Sequence, residues 1–596
     1  MQQTNHLTFW RLLLFIGGLN WCAIPVNADF VSVGGAEVAP NVAEIYVTET
    51  GVNVGLEIFI DDMAIFEDLL PDDWFKTPTK ARPDLRARMA SFAKAGISLR
   101  RKNGAELPVS TKLVEARLRV DRASPMAGKI DPLTGNRMPA PPEDERVVYV
   151  ELHYDFEGDR PDSLTFFSPT FKEGVPLAAI GMIVFDRGVP VTDYRFLSSG
   201  IVLEIDWDDP WYTRFENLNL MRHHRYPMMT FIYAEPYEVR HEALLRVQDA
   251  AELVGMSLRG PSLSAGEIQN LNELLPTVLR DETPMTVDGE QVVPEFDRLQ
   301  YLRIGARGLE YLEEGAEIMT AASLIGVIYS HPTNGLAKEA TLKWTVFPDP
   351  ITVVPGNAID KAGPFLANLT VDDPILVWTN HFKKSPYPEI TSVELPAQAT
   401  SRGLNAALLV FGTLGFATVL LWVWKRSATT RRIAIWGAVF GAAALVAIPV
   451  FQNRRDADVV NLTELELVAL SEALLNNVYR AFDFKLEEQV YDRLAMTLNG
   501  DILEQVFLDQ RQGLRIEKAG GAAARVDALT VDAVRHVPSE NGLLKVVADW
   551  TVSGRVGHWG HTHRRTNTYR AGITIVPRDG AWRIEAFDVL SKDRKL

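Results

Sequence analysis

Three histidines close to the C-terminus, His558, His561 and His563, are the sharpest local candidate for a chemical site in this chain. On a β-strand His561 and His563 point to the same face, and His558 could fold in across a bend at Gly560. Three imidazoles could bind a divalent transition metal, Zn²⁺, Cu²⁺ or Ni²⁺. The spacing is irregular beside established zinc motifs and no fourth ligand is evident. The alternative is a polar hairpin tip that forms local hydrogen bonds or docks a partner, and no other cofactor is indicated.

A second polar cluster lies near the middle of the chain. Its members are Asp206, Asp208, Asp209, His223, His224, Glu238, His241 and Glu242. Carboxylates and imidazoles at this density could bind a hard cation or Zn²⁺, or could form the site of a hydrolase. Glu238 and His241 have the i,i+3 spacing of di-iron carboxylate helices, but such a site needs a second pair. The favoured alternative is an ion-paired connection in which Arg222, Arg225 and Arg240 neutralise the acids.

No strong enzymatic motif accompanies these clusters. The sequence has no Gly-x-Ser-x-Gly elbow, no phosphate-binding glycine-rich loop followed by Lys-Ser/Thr, and no His-Glu-x-x-His helix. The chain is therefore predicted to be non-enzymatic.

Length and charge limit the classes of function. With 596 residues the chain is long enough for several domains, and its formal net charge is −16. A nucleic-acid-binding protein needs a basic surface to meet phosphates, so nucleic acid is not an expected partner.

The N-terminus has the pattern of a secretory signal peptide over residues 1–28. Arg11 precedes a short apolar core, and Val26-Asn27-Ala28 places small residues where a signal peptidase reads them. The single cysteine, Cys22, lies inside this segment, so a cleaved chain has no disulfide, no thiolate zinc site and no cysteine nucleophile. The alternative is an uncleaved anchor.

Two long apolar runs predict a transmembrane hairpin. The expected spans are 404–424 and 433–451, each without a charged residue, and the loop 425–432 between them carries four cations. Basic loops stay in the cytoplasm, so the domains on both sides of the hairpin are predicted to face the periplasm or the exterior. The expected location is the inner membrane, with the lipid bilayer as one partner.

The region before the hairpin is predicted to be mainly β-structure, because runs of β-branched and aromatic residues alternate with turn clusters. We expect an all-β, sandwich-type region with helical insertions. Its predicted parts are a β-sandwich-like domain, a helical connection, a second, immunoglobulin-like sandwich and a tether, at 29–260, 261–282, 283–393 and 394–403 respectively. Ser264-Ala-Gly-Glu267 has the capping-box pattern and should begin the helix of the connection.

The C-terminal region, 455–596, has helical patterns first and four long alternating patterns after Gly520-Gly521. The last strand begins with Asp579-Gly580-Ala581-Trp582-Arg583-Ile584. This element order and closing strand resemble the NTF2-like superfamily and its Tim44-like branch. The resemblance covers about the last 140 residues and implies an α+β cone, a sheet curled around a helix to form a pocket. That fold serves ligand binding, enzymes and protein docking alike.

Taken together, these patterns predict a multidomain, membrane-anchored protein that binds or scaffolds other proteins of a cell-envelope assembly. Two alternatives stay open at this point. One is a small-ligand or metal receptor that uses the NTF2-like pocket, and the other is an envelope hydrolase.

Overall fold

We describe the chain from a computed structural model. The described residues are 34–75, 82–124, 127–131, 134–170, 175–222, 224–305, 308–395, 462–508, 524–538, 543–559 and 561–595. The predicted signal peptide, 1–28, lies outside them.

The chain divides into two compact units. The larger unit contains the described residues from 34 to 383 together with the short segment 557–563, and the smaller unit contains the described residues of 384–556 and 564–596. The larger unit is built from two β-sandwiches, and the smaller unit packs helices on a single sheet. The structure is therefore mostly β-sheet.

The first sandwich pairs a seven-stranded sheet, in the order β4-β5-β2-β1-β7-β8 with β9 added on β7, with a four-stranded sheet, β11-β10-β6-β3. The strands are β1 Asn41–Val47, β2 Gly51–Phe59, β3 Ser98–Arg101, β4 Val109–Leu118, β5 Arg146–Asp155, β6 Ser163–Phe167, β7 Ile180–Asp186, β8 Val189–Pro190, β9 Arg195–Phe196, β10 Ile201–Glu204 and β11 Arg214–Phe215.

Alternation of apolar residues explains how this sandwich closes. On β5, Val148, Val150, Leu152 and Tyr154 all enter one buried cluster, as the two-residue period of a strand requires. Helix α1, Leu85–Ala95, adds Met89 and Phe92 to the same cluster.

The second sandwich has a seven-stranded sheet in the order β17-β16-β18-β13-β12-β20-β21 and a four-stranded sheet in the order β15-β14-β19-β22. The strands are β12 Met228–Glu235, β13 Glu238–Arg246, β14 Met285–Val287, β15 Glu290–Val292, β16 Glu295–Gly305, β17 Gly308–Tyr311, β18 Ser323–Pro332, β19 Glu339–Lys343, β20 Val354–Asp360, β21 Gly363–Leu369 and β22 Ile375–Thr379. The expected boundary at residue 260 separates β12 and β13 from the later strands with which they form this sheet.

Two helices pack into the core of the second sandwich. They are α2, Val247–Leu253, and α3, Ala265–Glu282. Leu271, Leu275 and Leu279 lie one helical turn apart on α3 and are fully buried. The predicted capping box is confirmed, because the Ser264 hydroxyl accepts the Glu267 N–H while the Glu267 carboxylate accepts the Ser264 N–H.

The smaller unit places its helices before its strands. Its helices include α4 Glu464–Arg480 and α5 Glu487–Ala495, and residues 501–508 are helical as well. The strands are β23 Ala524–Val537, β24 Leu544–His558, β25 His561–Arg578 and β26 Ala581–Lys595. The four strands form a meander in chain order. The Trp550 and Tyr569 rings stack in its interior with their centroids 5.4 Å apart, and both side chains are buried.

The expected transmembrane hairpin needs correction. Among the described residues no helix combines the length and the apolar character needed to cross a bilayer. The longest, α3, has 18 residues but carries Glu267, Glu273 and Arg280, and charged groups are costly in hydrocarbon. The predicted spans 404–424 and 433–451 lie outside the described residues. The two-helix hairpin in the predicted fold class, and the inner-membrane localisation that followed from it, are not supported.

We expect Ser264→Ala to lower the free energy of unfolding by about 1 kcal/mol, because it removes the acceptor of an N-terminal N–H of α3. Urea unfolding measures the change. Ser264→Asp, which keeps an acceptor at this position, is the control and should stay close to the wild type. Equal losses in both variants would contradict the capping role.

Candidate functional site

The three C-terminal histidines occupy a hairpin. Strand β24 ends at His558 and β25 begins at His561, and Trp559 lies in the turn with a positive φ of 48°. The side chains of His558, His561 and His563 lie outside the described part of the structure, so the metal site there stays a prediction. Within the described part, no three His, Cys, Asp or Glu side chains are grouped so as to hold a metal ion.

The acidic run of the second cluster forms a turn. Asp206 accepts the backbone N–H groups of Asp208 and Asp209 at 3.0 and 2.9 Å. Arg187 donates to the carbonyl oxygens of Asp206 and Trp207. This stretch is therefore held by local hydrogen bonds, and Asp208 is its exposed member.

Asp209 joins this turn to the second sandwich through Arg246, the last residue of β13. The Arg246 Nη1 lies 2.5 Å from the Asp209 carboxylate, and Arg246 also forms a two-pronged contact with Asp249 at 2.5 and 2.6 Å. Trp211, two residues further along, donates its indole N–H to the Ala321 carbonyl at 2.8 Å. Asp209 and Trp211 thus fix the junction between the two sandwiches.

The histidine pair beside this junction is only half described. His223 lies outside the described residues, and His224 is buried. The preceding Arg222 is also buried, donates to the Pro190 carbonyl and lies over the Trp211 ring at 4.6 Å. Burial lowers the pKa of Arg222 to about 10.

Glu238, His241 and Glu242 lie on β13 and not on a helix. Because side chains alternate along a strand, Glu238, Arg240 and Glu242 share one face of the sheet and His241 lies on the other. The helical i,i+3 spacing of Glu238 and His241 therefore does not bring these two side chains together. All nine residues of β13 are buried, since the strand is the centre of the seven-stranded sheet.

On the buried charged face of β13, each oxygen of the Glu242 carboxylate has a partner. One oxygen lies 3.0 Å from the Arg240 Nε, and the other accepts the backbone N–H of Trp559 at 2.7 Å. Burial raises the pKa of Glu242, while the Arg240 guanidinium and the Trp559 N–H act to lower it; the pKa remains above its ordinary value. Neither charge meets bulk water, because Glu242 and Arg240 are at most 3% exposed.

Trp559 itself is seated over a glycine. Its side chain is fully buried, and a Cβ added at Gly326 on β18 would lie 2.1 Å from the indole Cη2. Only a residue without a side chain leaves room for the ring at this point of the sheet. The ring belongs to a buried apolar cluster, and we call the space that it fills over Gly326 the socket. It includes Phe231, Leu244, Leu302, Leu324 and Ile328.

His241, on the opposite face, serves the core of the second sandwich. Its Nε2 lies 3.0 Å from the Thr230 hydroxyl, and its ring stacks on Tyr329 with centroids 5.6 Å apart. Burial lowers the pKa of His241 to about 3. The imidazole is thus neutral and structural at ordinary pH.

The predicted cluster is therefore not one site. Its described members lie in the turn at Asp206–Asp209, at His224, on the buried charged face of β13 and on the core side of the same strand. The sequence patterns did not predict a role for Gly326, Arg246 or Trp559. A single glycine inside the strand run Leu324-Ile-Gly-Val-Ile-Tyr was the signal for Gly326, because such a glycine often marks a close approach. No pattern in the sequence joins it to a tryptophan so distant in the chain.

Comparison with known proteins adds little. No protein-family model matches the chain, and neither does any curated protein. Among solved structures, the chain is similar to the intermembrane space region of the chloroplast protein ARC6, with 15% identity over 22% of this chain and 99% of that chain, at a TM-score of 0.16. Similarity at this TM-score supports no argument about fold or function.

The socket predicts a non-additive pair of substitutions. Gly326→Ala should lower the free energy of unfolding by about 1–3 kcal/mol through the clash with Trp559, and Trp559→Ala by about 3–5 kcal/mol through the cavity it leaves. In the Trp559→Ala background, Gly326→Ala should lose most of its effect.

Chemical denaturation of the four proteins measures this cycle. The control is Gly266→Ala on α3, where an added Cβ meets nothing within 4 Å and should cause no loss. The same cost for Gly326→Ala in both backgrounds would show that the indole does not occupy the socket.

Stability should also depend on pH through His241. Its pKa in the folded protein, about 3, is below the ordinary value of 6.5, so between these values the unfolded chain binds a proton that the folded one does not. Stability is therefore lost as pH falls below 6.5, by about 1.4 kcal/mol per pH unit and about 2 kcal/mol by pH 5.

The measurement is the change in unfolding free energy between pH 7 and pH 5, by urea titration. His241→Gln should show a smaller loss than the wild type, by about that 2 kcal/mol. His331→Gln, on the same sheet at a partly exposed position, is the matched control and should keep the wild-type dependence. A wild-type slope in His241→Gln would refute the assignment.

Proposed function

We propose that this protein is a binding or scaffolding component of a protein assembly, and that it meets other proteins at the free edge of the second sandwich. The observation that carries the proposal is an apolar surface formed by β21, β22 and the loop between them. We call it the β21–β22 edge. It consists of Phe365, Leu366, Val371, Ile375 and Val377.

These five side chains are exposed although each is large and apolar. Leu366 is 79% exposed and Val371 69%, and the other three lie between 43% and 50%. Several large apolar side chains exposed within one short segment favour an interaction surface there, with Phe365 and Leu366 on opposite faces of β21. Here all five come from one stretch of 13 residues, 365–377, at the ends of two sheets.

The placement of the ionisable groups supports the same proposal. Arg240 and Glu242 are paired in the interior, and Arg246 is held between Asp209 and Asp249. These charged groups pair with one another inside the larger unit and connect its two sandwiches.

For the smaller unit we propose an NTF2-like fold. What supports it is the element order: α4 and α5 come first, a four-stranded antiparallel meander follows, and β26 opens with Trp582 and Ile584 buried. The side chains of Trp550, Tyr479 and Tyr569 are buried in its interior.

Site-specific photo-cross-linking in the native cell tests the proposed function. A photoreactive phenylalanine analogue at Leu366 or at Val377 should form discrete protein adducts, several-fold above the same analogue at Leu218. Leu218 is the matched control because it is 75% exposed but lies in a turn of the first sandwich. If neither edge position yields more adduct than Leu218, the proposed binding surface is wrong.

A further inference from the structure

The segment 557–563 belongs to the larger unit, although the residues on both sides of it, 384–556 and 564–596, belong to the smaller one. Within this segment the side chain of Trp559 is fully buried. A single aromatic anchor at the end of a hairpin, enclosed by strands from a remote part of the sequence, has the form of a short peptide bound to a receptor. Trp559 therefore meets the socket as a bound ligand would.

The socket is built without any residue near Trp559 in the sequence. Apart from Trp559 itself, every member of the buried cluster around the ring lies between residues 189 and 359. In the register of the sheet, Gly326 on β18 lies between Leu244 on β13 and Gln300 on β16. Each of these strands is paired on both sides by other strands of the same sheet. The strands that form the socket are thus hydrogen-bonded independently of the ring that fills it.

The indole leaves part of the polar capacity of the socket unused. No described residue accepts the indole N–H of Trp559, and the Gln300 Oε1 is also buried without a described partner. Gln300 shares one face of β16 with Leu302, which belongs to the cluster around the ring. A buried donor or acceptor without a partner costs free energy that a fully matched ligand avoids. The socket therefore offers an acceptor that its present occupant does not use.

Docking of Trp559 is a balance of opposing contributions. Its φ of 48° is uncommon for a bulky residue. Gly557 and Gly560 flank it in the sequence, and glycine gives a released tip more conformational freedom to lose on docking. Burial of the ring and the 2.7 Å hydrogen bond from its backbone N–H to the Glu242 carboxylate favour the docked state. Such a contact can open by itself while the sheet stays folded.

We propose that the socket is a binding site for a tryptophan residue, that Trp559 is its releasable intramolecular ligand, and that a tryptophan supplied by another molecule takes its place on release. Two contacts set the class of ligand. A planar bicyclic ring fits over Gly326, and Glu242 accepts an N–H from the backbone of the same residue. The site goes beyond the β21–β22 edge, because three strands separate β18 from β21.

Amide hydrogen exchange tests the release. In the full chain labelled with ¹⁵N-tryptophan, the Trp559 backbone N–H should exchange at least about 10-fold faster than that of Trp344, at a rate that low urea concentrations leave unchanged. Trp344 is the matched control, because it is also fully buried and its N–H donates to the Pro374 carbonyl at 2.8 Å. The Trp559 signal is assigned by its loss in Trp559→Phe. Equal rates with the same urea dependence would mean that Trp559 leaves only on global unfolding, which overturns the release.

A titration with N-acetyl-L-tryptophanamide tests the site. Trp559→Ala in the full chain empties the socket and should bind this probe with a dissociation constant of roughly 0.1–1 mM, as expected for a ligand of its size. The wild type should show no binding at these concentrations, because Trp559 occupies the site. Adding Gly326→Ala should weaken binding at least about 10-fold, since the new Cβ lies where the ring sits. Adding Gly266→Ala, at an open position, is the control and should change nothing.

A second probe tests the contact with Glu242. Indole-3-propanamide is the same molecule without the acetylated amine, so it lacks the N–H that Glu242 accepts. It should bind Trp559→Ala about 10-fold more weakly than N-acetyl-L-tryptophanamide. Absence of binding by either probe, or equal binding with and without Gly326→Ala, overturns the site. The exchange experiment follows the wild-type protein, so it still decides on the release if Trp559→Ala does not fold.

Discussion

Strand β13 imposes the constraint on which the larger unit depends. It is the central strand of a seven-stranded sheet and is buried on both faces, yet it carries Glu238, Arg240, Glu242 and Arg246. A buried charge is tolerated only where a partner and hydrogen bonds replace its water. Arg246 forms an ion pair with Asp209. Glu242 forms an ion pair with Arg240 and accepts a hydrogen bond from the backbone N–H of Trp559, 317 residues away. The contact between the two sandwiches at Asp209 and the buried position of Trp559 both supply partners for charged residues of β13.

The interior and the edge of this unit reverse the ordinary distribution of residues. Charged side chains occupy the middle of the large sheet, whereas the uncharged strands β21 and β22 end their sheets in solvent. A buried charge that loses its partner is strongly destabilising, so arrangements of the strands that separate these pairs are disfavoured.

Local patterns of the sequence were sufficient for local structure. The capping box at Ser264 was predicted and is present, and Asp288-Gly289 is a residue pair typical of hairpin turns whose two residues have the positive φ that such a turn needs. Each depends on contacts within a few residues. The pairing of β13 with β18, about 85 residues later, depends on long-range register instead, and strand periodicity does not encode which strands pair. For the same reason a spacing of three between Glu238 and His241 suggested a helical pair, although the strand sends them to opposite faces. The contact between Trp559 and Gly326 could not be predicted from the sequence, because only the fold brings Gly326 and the turn after β24 together.

The seat of Trp559 also has a consequence for the order in which the protein can be made. Gly326 leaves the ribosome about 230 residues before Trp559, and the Glu242–Trp559 hydrogen bond spans 317 residues of chain. At about 5–20 residues per second, Gly326 waits on the order of 10–50 s for Trp559, and the Glu242 carboxylate waits longer for its backbone donor. During that interval the apolar side chains of the cluster around Gly326 lack the indole that packs against them in the finished protein. The larger unit is completed only after most of the smaller unit's sequence has been synthesised, so its folding is a late event in translation although its first strands are among the earliest to emerge.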